Sequence, residues 1–127
     1  MTVAAYLKTA CDRALDELMQ DVKGIKAVVV ATEDGFEVAA RVENTAQVAR
    51  LSAMASSLAA LGAMAGDESR LGVCHSLVME AAEGFIAIVQ VRRADVSLIV
   101  SVVTGREAVI GQVLYFSKKA AATLQAA

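Results

Sequence analysis

The 127-residue chain has no proline and no tryptophan, two tyrosines, three phenylalanines, two cysteines and one histidine. One histidine rules out a multi-histidine metal site. His75 directly follows Cys74, and neighbours on a strand point to opposite faces, so the two cannot work as a nucleophile–base pair. Cys11 and Cys74 have no framework spacing, and free thiols in a reducing cytoplasm are expected. The longest uncharged run, Leu51 to Gly66, has 16 residues, fewer than the roughly 20 apolar residues that span a bilayer. Lys8, Asp12 and Arg13 interrupt any apolar leader pattern near the start. A net charge of −2 and a pI near 5.3 argue against a phosphate backbone as partner. Gly105 to Gly111 (GREAVIG) is the nearest approach to a phosphate loop, but no Gly-Lys-Ser/Thr follows it.

What the chain has in quantity is small aliphatic residues. Hydrophobic residues make up 57% and the mean hydropathy is +0.54. The densest stretch runs from Thr45 to Gly66 (TAQVARLSAMASSLAALGAMAG), where Arg50 is the only charge. At helical spacing, Leu51, Met54, Leu58 and Leu61 share a stripe, and Ala49, Ser52, Ala53, Ser56, Ala60 and Ala63 lie opposite. A helix apolar all round is buried all round. In one short domain, its own sheet can cover one face, and a second copy is the simplest cover for the other.

Around that helix, the patterning predicts a single domain over residues 1–127. Residues 3–22 form an amphipathic helix with Val3, Leu7, Ala10, Ala14, Leu18 and Val22 inward. Ile25 to Thr32 is apolar on both faces, a central strand. Glu33-Asp34-Gly35 signals a hairpin into an edge strand, Phe36 to Val42, with Phe36, Val38, Ala40 and Val42 in and Glu37 and Arg41 out. Asn44 or Thr45 caps the middle helix, with Gln47 completing a capping box, and Gly66 to Ser69 closes it. Leu71 to Glu80 is a second edge strand, and Phe85 to Val91 and Val96 to Val103 are central. Thr104 with Glu107 reads as a capping box for a last helix that buries Val109, Val113, Phe116, Ala120 and Leu124. The expected fold is a five-stranded antiparallel α/β (α+β) sandwich, helices on both faces, in the order α-β-β-α-β-β-β-α.

The segments GIKAVVVATEDGFEVAA, LSAMASSLAALGAM and EGFIAIVQV, with a final strand and a helix containing Gly111, resemble the Roadblock (dynein light chain) family, especially its bacterial MglB-like members. The resemblance covers about residues 5 to 124 and implies a profilin-like Roadblock sandwich. It further implies a dimer in which residues 45–65 and 73–80 meet their twins. The interface residues would be Leu51, Met54, Leu58, Leu61, Met64, Val73, His75, Leu77 and Met79. It implies a non-catalytic cytoplasmic regulator or scaffold of a Ras-like small GTPase, one able to stimulate GTP hydrolysis without an arginine finger. No cofactor, metal or catalytic residue is expected. Two alternatives stand beside it: a small-molecule sensor of PAS- or GAF-like build, and a purely structural dimerisation module.

Other candidates are weaker. The carboxylate pairs Glu33-Asp34 and Asp67-Glu68 lie in turns, and Asp12, Asp16 and Glu17 sit on a helix face, places where charges are ordinarily solvated. Arg70, Arg92, Arg93 and Arg106 lie near element ends, from which an arginine can reach a partner's phosphate.

Overall fold

The computed structural model describes residues 3–42 and 46–127, so the Asn44/Thr45 cap falls outside the described residues. The elements run α1 (Ala5–Asp21), β1 (Ile25–Thr32), β2 (Glu37–Val42), α2 (Ala46–Glu68), β3 (Ser76–Ala81), β4 (Gly84–Val91), β5 (Leu98–Gly105) and α3 (Ile110–Ala126). The sheet order is β2-β1-β5-β4-β3, antiparallel at every pairing. The three strands expected at the centre are there, and β2 and β3 form the two edges.

Alternation along the strands sends two sets of side chains to two faces. Val28, Val30, Val89, Val100 and Val102 join Leu7, Leu15 and Leu18 of α1 and Val113 and Leu124 of α3 in the main core. The opposite face carries Val29, Ala31, Ile88 and Ile99, packed against α2. Each fully buried side chain of this size contributes about 1.5–3 kcal/mol relative to exposure. The main core thus holds the fold, and α2 lies over a thinner second layer.

The crossover explains the length of α2. It joins β2 at one edge to β3 at the other, four strand spacings away, roughly 19 Å. Its 23 residues reach about 34 Å, enough to cross the sheet obliquely.

The structure departs from the sequence reading in several places. Phe36 precedes β2 and is 56% exposed. Arg41, expected outward, is half-buried: its Nε donates to Asp16 at 2.9 Å and its Nη1 to Asp12 at 3.3 Å, bracing α1 against the edge strand. β3 starts at Ser76, five residues later than expected, because the chain first turns at Arg70 (φ +57) and Gly72 (φ +85). There the Gly72 carbonyl presses against Gly66 so closely that no side chain fits on Gly66. Thr104 does not cap α3. It is buried in β5, opposite Ile25 and Phe85, and α3 begins only at Ile110 with Val109 exposed before it. α2 itself runs through Gly66 to Glu68.

Hydrogen bonds from Lys8 and Arg41 hold the Asp12 carboxyl below the usual carboxylate range. A folded-state pKa below the unfolded value, about 3.9, stabilises the fold above that pH. The contribution is lost as pH falls through the folded pKa. Asp12 is more than a third exposed, so screening limits its worth to below about 1 kcal/mol. Asp12→Asn is expected to cost that little at neutral pH and to flatten the acid limb of stability below about pH 4, read by urea titrations at stepped pH. An unchanged acid limb would count against the clamp.

Candidate functional site

The apolar stretch of α2 sorts into three strips. Val48, Ser52, Ala55 and Ala59 are buried against the sheet. Small side chains let a helix lie close on a sheet, and larger ones then wedge in at its sides. Leu51 is half-buried with Val29, Ala31 and Val48, and Leu58 is half-buried with Ile88, Ile99, Leu77 and Ile86. Met54, Leu61 and Met64 face outward, 50%, 58% and 62% exposed. The stripe read from the sequence is therefore split. Leu51 and Leu58 serve mainly the protomer's own core, and Met54, Leu61 and Met64 form the free face.

Ser56, expected on the small face, donates from its hydroxyl to the Glu33 carbonyl at 2.7 Å and docks α2 on the first hairpin. By length and composition alone, Gln47–Glu68 would suffice to cross a membrane; in this fold one side of it lies on the sheet.

Of the expected β3 residues, Leu77 is half-buried under α2, and Met79 and Val78 are 45% and 42% exposed. Val73 and His75 lie outside the strand, both exposed. Cys74 between them is half-buried beside Gly62. The outer edge of β3 has no strand beside it among the described residues.

Beside α2 the sheet is not fully covered. A groove of about 480 Å³ is lined by Met54, Leu58, Met79, Ile86, Val103 and Ser101. A neighbouring hollow of about 620 Å³ shares Met54 and Val103 and brings Lys26, Gln47 and Arg50 to its rim. Ser101 is buried, and its hydroxyl has no hydrogen-bond partner among the described residues. A cluster of uncovered apolar side chains marks the groove as a place something covers. Sequence periodicity missed it, because the gap depends on which strands α2 leaves uncovered, a tertiary property.

Two of the other candidates, Cys11 and Arg93, are held within the protomer. Burial pushes the Cys11 thiol up to about 11, leaving it protonated and inert at neutral pH. The Arg93 side chain is only 6% exposed. It donates to the carbonyls of Leu124 and Ala127 at 2.6 and 2.7 Å and to Asp95 at 2.8 Å, tying the β4–β5 turn to the end of α3. It is not available to a partner's phosphate. Arg92 donates to the Cys74 carbonyl at 3.3 Å; Arg106 stands 4.0 Å from Glu83; Arg70 is exposed at the helix exit. No cluster of three or more metal-ligating side chains occurs among the described residues.

The sandwich has one well-filled layer, one thin layer, an open strand edge and an apolar helix face. The chain belongs to the Roadblock/LC7 family: the family's domain model matches residues 12–100. Its fold is similar to the Roadblock/LC7 domain from Streptomyces avermitilis (21% identity, TM-score 0.80, covering 89% of this chain and 92% of that one). It is also similar to Myxococcus xanthus MglB (14%, TM-score 0.82, 98% and 92%). A third relative is the gliding protein MglB from Thermus thermophilus (13%, TM-score 0.84, 98% and 93%). No curated protein sequence matches the chain. The fold is in general that of a non-catalytic adaptor or regulator.

Proposed function

We propose that this chain is a dimeric, non-catalytic regulator or scaffold that binds a Ras-like small GTPase in the cytoplasm. The observation that carries the reading is the free apolar face of α2, Met54, Leu61 and Met64, beside an uncovered apolar groove. Exposed apolar surface of this kind marks interaction sites. A second copy is the simplest cover, and self-association has precedent in the family, since one MglB structure has a tetrameric arrangement. The GTPase follows from the family resemblance, and the similarity to MglB structures supports it. Any stimulation of GTP hydrolysis would proceed without Arg93, which is held inside the protomer.

The test is capture on immobilised protein from native lysate, run with excess GDP and separately with a non-hydrolysable GTP analogue. Enrichment of a small GTPase in one nucleotide state is expected. Equal recovery in both states supports a passive scaffold, and absence from both removes the GTPase from the proposal.

One observation favours a second reading, a small-molecule sensor. The groove has the size of a ligand cleft. A ligand screen by melting temperature would support it by a saturable rise.

A further inference from the structure

Resting on the dimer proposed above, we infer that Arg41 holds the β2 edge of the sheet shut against pairing, so that association ends at two copies. An edge strand carries a row of backbone donors and acceptors that another chain can use. Proteins blunt such edges with bulges and with charges turned in toward the fold. The two edges of this sheet differ in both respects.

β3 is regular. Its six residues pair with β4 in unbroken register from Ser76–Val89 to Ala81–Gly84, and Glu80 is its one charge. β2 is broken. Val30 pairs with Ala39 and Ala31 with Glu37, which leaves Val38 as an extra residue on the edge strand. Val38 and Ala39 are neighbours, yet both are buried in the main core, as a bulge allows.

Beyond the bulge only residues 39–42 remain regular, and Arg41 stands among them. Its side chain is 33% exposed and turns from the strand to α1, where it meets the Asp12 and Asp16 carboxylates and the Asp12 carbonyl. Nη1 also donates to the Ala40 carbonyl at 2.8 Å, engaging a backbone acceptor of the strand itself. A strand laid beside β2 would set its side chains against this guanidinium and take water from the two carboxylates. Removing water from charges without offering new partners is costly.

The number of open edges decides how assembly ends. With β3 alone open, two copies use up both edges and the interface closes on itself. With β2 open as well, each copy has two adhesive edges, and the sheet runs on from pair to pair.

The test is Arg41→Val in the full chain, read by sedimentation velocity over a wide concentration range and by hydrogen exchange of the β2 amides. The parent is expected to stop at the dimer, with β2 exchange independent of concentration. At high concentration Arg41→Val is expected to reach about twice the parent's mass or more and to slow exchange at residues 39–42 about tenfold. Arg41→Gln removes the charge more gently and carries the same expectation should the circular dichroism of the valine variant depart from the parent's. Asp12→Asn/Asp16→Asn is the control. It loses the same ion pairs but keeps the cation on the edge, and is expected to stay at the dimer.

A folded Arg41 variant that stops at the parent's mass would overturn the inference. So would growth with the β2 amides unprotected, or equal growth in the control, which would assign the effect to lost stability. A parent that is monomeric at every concentration removes the dimer reading alone. Arg41→Val pairs joined through protected β2 amides would then still support the closed edge, and unchanged monomers would overturn it.

Discussion

Leu61→Glu is expected to leave the chain folded and halve its mass in solution. Leu61 is 58% exposed, and surface substitutions away from special features usually change stability by less than about 0.5 kcal/mol. In the proposed dimer the same position lies on the shared face of α2, so one substitution brings two carboxylates, one from each copy, against apolar surface. Burying a charge without a partner costs several kcal/mol, and a loss of about 3 kcal/mol already weakens association roughly a hundredfold. Leu58→Glu suits this purpose less well, because Leu58 packs with Ile88, Ile99 and Ile86 of its own protomer and its loss would disturb fold and dimer together. Light scattering separates the outcomes. An undiminished mass with a normal melting curve would sink the shared-helix idea.

The second large effect concerns the turn from β3 to β4. Gly84 has φ +155 and pairs with both Ala81 and Gly105. A Cβ added there would lie on the Thr104 carbonyl oxygen, which belongs to the backbone of the central strand and cannot yield. Gly84→Ala is expected to destabilise by about 3 kcal/mol or more, lowering the melting temperature by about 10 °C or more. Gly111→Ala is the matching control. Its added methyl meets nothing within 4 Å on α3, and removing a glycine from a helix gains about 0.5–1 kcal/mol. Equal melting temperatures for the two variants would contradict this account of the turn.

The sequence carried the element order and the central strands because period-2 and period-3.6 patterns are local. Thr104 shows where local signals mislead. Thr104 and Glu107 have the spacing of a capping box, yet β1 and β4 claim Thr104 for the sheet from both sides, and the Glu107 side chain instead lies against Gly24 and Gly105. Arg41 is the mirror case. Alternation sends it to solvent, but two acids of α1, distant in sequence, draw it in. For α2, periodicity revealed a helix apolar all round and could not say which strip meets the sheet. Close packing decided that, choosing Ser52, Ala55 and Ala59 over the leucines. Met54, Leu61, Met64 and Met79 of the expected interface are exposed, and Val73 and His75 lie before a strand that starts later than its composition suggests.

The pairing of β1 with β5 carries a consequence for how the chain is made. The middle of the sheet joins Ile25–Thr32 to Leu98–Gly105, so the second strand partner of β1 emerges from the ribosome last of all the strands. At synthesis rates of about 5–20 residues per second, β1 waits several seconds with one edge open and apolar side chains on both faces. The first hairpin can close in microseconds, but it cannot bury those valines alone. During that interval the nascent chain is at its most adhesive. α1 is already made and α2 follows, and between them they can shield the β1 valines, one helix on each face, before the sheet closes.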